Sequence, residues 1–187
     1  MPLPTSPISR RRLHERRIVY EGFQREDGLI DIEAHLVDVK DHAYELITGT
    51  RPPGEAIHDM SVRVTIDGRF VIQAIDAAID SMPYPDACDR IEPAYACLRG
   101  ANLLHGFRKR LRDDLGSIRG CTHLTELLGA LPTAAVQAYA GEVIPVSGDS
   151  ETRPFQLDRC HALRTDGGAV AKYYPRWAVA RADDSTP

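Results

Sequence analysis

The stretch GCTHLTELL, Gly120 to Leu128, places Cys121 and His123 at the start of a predicted helix. Helix N-termini carry unpaired amide donors and partial positive charge, and both favour a thiolate. We therefore interpret Cys121 as a nucleophile or a metal ligand, and His123 as its base or as a second ligand. The alternative is that Cys121 is a small buried hydrophobic residue and that His123 is exposed on the first helical turn.

A second pair of the same residue types follows at Cys160-His161. Together with Cys121 and His123 it would provide four ligands for a tetrahedral zinc ion. Adjacent Cys and His side chains do not readily point at one ion, however, and the usual short paired spacings are missing. Zinc is therefore the alternative to a site without any cofactor.

Acidic, imidazole and guanidinium side chains are frequent in the predicted strands before this helix, where they offer general acids and bases and one anion clamp. The candidate catalytic residues are Asp31, His35, His58, Asp59, Arg63, Asp76, Cys121 and His123, with Glu33 beside them. The chain has no Gly-rich phosphate loop, no Gly-x-Ser-x-Gly elbow and no dinucleotide fingerprint. These features predict a small enzyme, a cofactor-free lyase or isomerase acting on a small organic molecule. The alternative is a metal- or cluster-binding carrier that uses Cys121 with Asp and His ligands.

Alternation predicts how one of these strands presents its side chains. In the segment IDIEAHL, Ile30, Ile32, Ala34 and Leu36 fall on one face, and Asp31, Glu33 and His35 fall on the other. Successive side chains of a strand point to opposite faces, so the first set should face the core. The preceding Asp27-Gly28 pair predicts a hairpin turn.

A second hairpin is predicted at Asp67-Gly68, between two β-branched runs. A two-residue turn there would pair Ile66 with Arg69 and would place Asp59 opposite Asp76. Two opposed carboxylates repel, so this pair would need a proton, a cation or strong exposure. The alternative is that the strand frays before Asp59.

Helical periodicity replaces alternation in the second half of the chain. We predict a helix from the GCTHLTELL segment to about Leu131, and a second helix that begins at Pro132. The fold class is therefore α+β, an antiparallel sheet of N-terminal hairpins packed by C-terminal helices. We predict a basic flexible arm over residues 1–15 and a single globular domain over residues 16–187.

Composition limits the remaining functional classes. The chain has 187 residues, 43% of them hydrophobic, and a formal net charge of -4, which argues against nucleic-acid binding. No apolar run reaches the roughly 18 residues of a membrane span, and the N-terminal residues do not resemble a secretory signal. Four cysteines are too few for a disulfide framework at this length, so we predict reduced thiols and a cytoplasmic location. We expect a small-molecule substrate as the partner, and a homo-oligomer is compatible with these features.

Four blocks carry a resemblance to a known family: DIEAHLVDVK, GEAIHDM, GCTHLTELL and CHALRTDG. The chain resembles, from about Arg16 to Trp177, an uncharacterised bacterial family classified as a domain of unknown function. The resemblance implies a soluble single-domain bacterial protein and an association with bacteria that degrade aromatic compounds. It brings no catalytic residues with it. The order of hairpin and cysteine-opened helix is also similar to that of NifU-type iron–sulfur scaffold proteins, although the first cysteine of that family would fall where this chain has Asp76 and Asp80.

Overall fold

A computed structural model describes residues 3–142, 144, 146–148 and 150–180. The ends of the predicted arm (1–15) and of the predicted domain (16–187) therefore lie partly outside the described residues. The chain divides into two compact units, Met1–Ala138 and Tyr139–Pro187. The division into an arm and one domain stays a prediction.

Among the described residues, the first unit contains six strands and two α-helices. The strands are β1 (Glu15–Gln24), β2 (Ile30–Val39), β3 (Tyr44–Leu46), β4 (Gly49–Arg51), β5 (Ala56–Ile66) and β6 (Ile72–Ser81), and the helices are α1 (Phe107–Leu115) and α2 (Thr122–Tyr139), whose last residue already belongs to the second unit. Short 3₁₀ segments lie at Asp89–Leu98 and Ser117–Arg119. Among the described residues, no helix combines the length and the apolar character needed to cross a bilayer.

Four of the strands form one antiparallel sheet in the order β1-β2-β5-β6, and β3 and β4 form a separate hairpin. The predicted α+β class, with N-terminal hairpins followed by helices, is confirmed. The predicted alternation of β2 is confirmed as well, because Ile30, Ile32, Ala34 and Leu36 are all at most 4% exposed. The β1–β2 turn contains Gly28 at φ +82°, as the Asp27-Gly28 pair predicted.

The turn between β5 and β6 is longer than predicted, and the two-residue turn was wrong. Phe70, and not Gly68, has the positive φ, at +63°. The carboxylate of Asp67 accepts hydrogen bonds from the backbone N–H groups of Arg69 (2.9 Å) and Val71 (3.0 Å), which stabilises a wider loop. Phe70 is buried there, so packing compensates for its unusual backbone conformation.

This wider loop changes the register of the hairpin. Ile66 lies opposite Ile72, Arg63 lies opposite Asp76, and Asp59 lies opposite Ser81. The predicted Asp59–Asp76 pair is therefore wrong. The guanidinium across from Asp76 removes the like-charge repulsion that the earlier register implied.

Helix α2 runs without a break from Thr122 through Pro132, so the predicted division at Leu131 is wrong. Proline has no N–H to donate to the carbonyl one turn earlier. Side chains donate to two carbonyls in that turn: Tyr20 Oη to Leu127 O at 2.9 Å and Arg108 Nε to Gly129 O at 3.3 Å. These two carbonyls flank that of Leu128, which Pro132 cannot reach with a donor. The helix continues because its apolar side chains are buried, with Leu124, Leu128 and Leu131 all 0% exposed.

Helix α2 packs on one side of the sheet, which we call the covered face. The hydrogen bond that Tyr20 donates to the carbonyl of Leu127 joins β1 to the middle of the helix. Further along, a Cβ atom at Gly22 would lie 2.6 Å from the Cβ of Ala138, so only glycine fits in β1 at this approach. The opposite side of the sheet, which we call the open face, carries Glu21, Glu33, His35, Arg63 and Asp76. The two faces therefore offer different surroundings to the polar residues of the same strands.

The second unit contains α3 (Gly168–Tyr173) and 3₁₀ segments at His161–Leu163 and Pro175–Trp177. A turn lies just before α3, where Gly167 N donates to Arg164 O at 2.9 Å. Within this unit, Gln156 Nε2 donates to the carbonyl of Val146 at 3.1 Å.

Candidate functional site

Three neighbouring strands place one polar residue each in a row across the covered face. Arg16 of β1 lies opposite Asp38 of β2, and Asp38 lies opposite His58 of β5. Asp38 follows Leu36 on the apolar side of β2, and it is only 2% exposed. A buried carboxylate needs charged or hydrogen-bonding partners, because burial without them is strongly unfavourable.

Asp38 has such partners at both oxygens. Arg16 donates from Nε to Oδ1 and from Nη2 to Oδ2, both at 2.8 Å. His14 Nε2 lies 2.8 Å from Oδ1, and His58 Nδ1 lies 3.0 Å from Oδ2. Burial raises the pKa of Asp38, but the hydrogen bonds from Arg16 and His14 outweigh that effect and lower the pKa to about 2. The carboxylate is therefore ionised at neutral pH.

The start of helix α2 brings Cys121 and His123 to this row. The carbonyl of Cys121 accepts a hydrogen bond from Thr125 N at 2.9 Å, which makes Cys121 the residue just before the first helical turn, as predicted. The buried hydroxyl of Tyr95 accepts the N–H of Cys121 at 2.9 Å and also lies 3.0 Å from its carbonyl oxygen. Tyr95 thereby fixes the position of the start of helix α2.

His58 and His123 lie against each other, with their ring centroids 3.8 Å apart. Burial lowers the pKa of His58 more than the hydrogen bond to Asp38 raises it. Burial also lowers the pKa of His123, and the neighbouring imidazole of His58 lowers it further. Both rings are therefore neutral at pH 7, which is the protonation state that binds metal ions.

Within the described residues, one group of three metal-ligating side chains comes together: Asp38, His58 and His123. One ligand atom from each residue lies within 4.8 Å of those of the other two. Two imidazoles and one carboxylate are a donor set that proteins use for iron(II) and zinc. The side chains belong to three different elements, β2, β5 and α2, so the group exists only in the folded chain. We call it the Asp38 cluster.

Arg16 opposes metal binding in this cluster, since its positive charge already neutralises Asp38. A divalent ion at Oδ2 would share the carboxylate with a guanidinium. Arg16 also forms an ion pair with Glu126 on α2, so it has a second carboxylate available. The guanidinium of Arg16, which competes with a metal ion for Asp38, therefore lies directly beside the cluster.

A family model described as a protein of unknown function, DUF2889, matches residues 14–137. The match covers well over half of the chain. The chain belongs to the DUF2889 family. Comparisons with curated proteins and with solved structures find no match. The prediction of an uncharacterised domain-of-unknown-function family is confirmed, and the similarity to iron–sulfur scaffold proteins stays a prediction.

The whole Asp38 cluster lies in the segment that the DUF2889 model matches, as do His14, Arg16 and Cys121. Of the four sequence blocks, CHALRTDG begins at Cys160 and lies beyond the matched segment. Cys160 is exposed, and neither it nor His161 belongs to the group of three ligands.

The predicted site residues of this DUF2889 protein separate into two sets. His58, Cys121 and His123 come together on the covered face. The others lie on the open face: Asp31, His35, Asp59, Arg63 and Asp76. The sheet itself stands between the two sets, so the structure does not bring all eight residues into one site.

The open-face set forms local pairs around a shallow groove of about 310 Å³. His35 Nε2 lies 2.6 Å from Asp59 Oδ1, and Arg63 Nε donates to Glu33 Oε1 at 2.7 Å. Asp31 accepts a hydrogen bond from Thr65 Oγ1 at 2.6 Å. These side chains therefore find hydrogen-bond partners among their neighbours on the open face.

Sequence reasoning missed Asp38, His14 and Arg16. Asp38 has the same parity as the buried residues Ile32 and Leu36, so the alternation of β2 already placed a carboxylate on the apolar face. This position in the alternation was the signal from which Asp38 could have been predicted as a buried, partnered carboxylate. Arg16 and His14 had no comparable signal, because only strand pairing brings them to Asp38.

Proposed function

We propose that this DUF2889 protein binds a divalent transition-metal ion, zinc or iron(II), at the Asp38 cluster. The observation that carries the proposal is the convergence of three ligand atoms from Asp38, His58 and His123 within 4.8 Å of one another. The lowered pKa values of His58 and His123 support it, because neutral imidazoles bind metal without first releasing a proton.

Three protein ligands leave coordination positions for a substrate or water, as in catalytic zinc and iron(II) sites. A metal ion in such a site polarises a bound oxygen and stabilises negative charge that develops on it. We propose a small organic molecule as the substrate and a lyase or isomerase as the class of enzyme. The absence of phosphate-binding and dinucleotide motifs from the sequence supports that choice over phosphoryl or hydride transfer.

A cofactor-free acid–base enzyme is the second candidate, and the Asp38–His58 contact favours it. Nδ1 of His58 lies 3.0 Å from the ionised Asp38, which orients the ring with Nδ1–H toward the carboxylate. The other nitrogen, Nε2, then carries the lone pair and could accept a proton from a substrate. Substrate and partner classes are the same in both proposals, and both fit the reduced cysteines expected of the cytoplasm.

A cobalt(II) titration tests the metal proposal. Metal-free protein should bind one equivalent of cobalt(II) with visible absorption bands, and zinc should displace it. His58→Ala and His123→Ala should each weaken binding by about 10-fold or more, since each removes a ligand. The matched control is His35→Ala, which removes the imidazole of the exposed Asp59–His35 pair on the other face.

Unchanged cobalt(II) binding in either His58→Ala or His123→Ala would remove the metal proposal. If the purified protein carries no metal and also binds no cobalt(II), the acid–base candidate takes its place. His58→Gln should then abolish turnover of the substrate while the variant remains folded.

A further inference from the structure

Nδ1 of His123 faces the sulfur of Cys121, which in turn lies near the sulfur of Met60. Cys121 Sγ lies 3.9 Å from His123 Nδ1 and 3.9 Å from Met60 Sδ. Met60 belongs to β5, two residues after His58 and on the same face, and it is 1% exposed. The Cys121 thiol therefore has a thioether sulfur and an imidazole nitrogen as neighbours, next to the Asp38 cluster.

Each of these two separations suits a pair of donors on one metal ion. Metal–sulfur bonds of about 2.3 Å and metal–nitrogen bonds of about 2.0 Å place the donors of a three-coordinate ion roughly 3.7 to 4.0 Å apart. Both distances from Cys121 Sγ fall in that interval. Cys121 stands at the centre of the group, since each of the other two donors lies at this distance from it.

The donor types decide which ion would bind. Thiolate and thioether sulfur are soft ligands that select copper(I), whereas carboxylate oxygen is a hard ligand. His123 therefore stands between two different environments: Nε2 lies 3.8 Å from Asp38 Oδ2, and Nδ1 faces Cys121. Methionine at position 60 places a soft donor at a buried position of β5.

We propose that Cys121, Met60 and His123 Nδ1 form a soft-metal site for an ion of the copper(I) class. Cys121 binds the ion as a thiolate, and its proton leaves to solvent. Copper keeps its +1 oxidation state, so the step needs no oxidant or reductant.

The two sites of His123 exclude each other. A neutral imidazole has one N–H and one lone pair, so an ion at Nδ1 forces the proton onto Nε2. Nε2–H then points toward Asp38 and no longer offers a lone pair to a divalent ion. Copper(I) should therefore weaken divalent binding at the Asp38 cluster. This antagonism rests on the proposed divalent site, whereas the soft-metal site does not.

The experiment uses the full chain with Cys88→Ser, Cys97→Ser and Cys160→Ser, so that Cys121 is its only cysteine. Copper(I) is supplied under argon as its bathocuproine disulfonate complex, and transfer to the protein is read from the loss of colour. We expect one equivalent to bind. Met60→Leu, a volume-conserving change, should lower the copper(I) affinity about 10-fold and leave cobalt(II) binding unchanged.

Cys121→Ser in the same background should abolish stoichiometric copper(I) binding, and its folding is checked by circular dichroism. Equal copper(I) affinity with and without Met60→Leu would overturn the proposal, as would substoichiometric uptake by the protein that retains only Cys121. His58→Ala separates the two sites, because it should weaken cobalt(II) binding by about 10-fold or more and leave copper(I) binding unchanged. If it keeps both ions, the divalent proposal fails and the soft-metal site stands.

Discussion

The two faces of the sheet each hold an aspartate beside a histidine, in very different surroundings. On the covered face, the Asp38 and His58 side chains are 3% and 16% exposed and lie 3.0 Å apart. On the open face, the Asp59 and His35 side chains are 33% and 49% exposed and lie 2.6 Å apart. The closer pair is the more exposed one.

A short distance between two polar groups therefore does not by itself make a functional site. In water, an exposed pair gains little from its mutual attraction, because solvent screens the charges. At Asp38, low exposure strengthens every interaction and requires several partners for one carboxylate. Helix α2 creates that environment by covering one face, and it also supplies His123.

The largest expected effect separates the two aspartates. Asp38→Asn should lower the free energy of unfolding by about 3 kcal/mol, because it leaves Arg16 facing a neutral group at a buried position. Asp59→Asn should cost less than about 1 kcal/mol, since that pair is partly solvated. Urea denaturation of both variants measures the comparison. Equal losses would show that burial does not distinguish the two pairs.

A smaller effect tests the contact that covers one face. Gly22→Ala should destabilise the protein by about 1 to 3 kcal/mol, because its Cβ would meet the Cβ of Ala138 at 2.6 Å and neither atom can rotate away. The neighbouring Glu21→Ala substitution on the open face is the control and should change stability by less than about 0.5 kcal/mol. Thermal unfolding reports both. A neutral Gly22→Ala variant would mean that the helix does not approach β1 so closely.

The role of Arg16 on the covered face can be measured through the cobalt(II) affinity of the Asp38 cluster. Arg16→Gln removes the cation that shares both oxygens of Asp38, so cobalt(II) should bind about 10-fold more tightly, a gain of about 1.4 kcal/mol. The same variant should be less stable without metal, because Asp38 loses its charged partner. Weaker cobalt(II) binding in a folded Arg16→Gln protein would contradict the assignment of Arg16 as a competitor.

The smallest effect is a pH dependence of stability in the metal-free protein. The folded-state pKa values of His58 and His123 are lowered, so the unfolded chain takes up protons first. Stability should therefore be complete above about pH 6.5 and should decline as the pH falls below it. A second loss should follow below about pH 3.8, as Asp38 approaches its pKa of about 2. His58→Gln should reduce the first decline, and an identical decline in wild type and variant would assign it to other groups.

Local pattern predicted much of the fold. The alternation of β2 predicted its buried residues, and the Gly120–Leu128 stretch predicted the start of a helix at Cys121. It failed at Pro132, where burial of the apolar side chains of α2 outweighs the effect of the proline, and at the Asp67 loop, where a buried Phe70 has the positive φ. Of the candidate site, the sequence supplied His58, Cys121 and His123 but not their buried partner Asp38.

The sequence by itself determined the α+β class, because hydrophobic periodicity and turn residues act over a few positions of the chain. It also determined which residues could bind a metal, since ligand chemistry belongs to the side chain. Which of these potential metal ligands come into contact depends on the tertiary structure. Strand pairing sets Arg16, Asp38 and His58 in one row, and the packing of α2 adds His123 above it. These contacts join residues that are far apart along the chain, and their burial arises only when the helix covers the sheet.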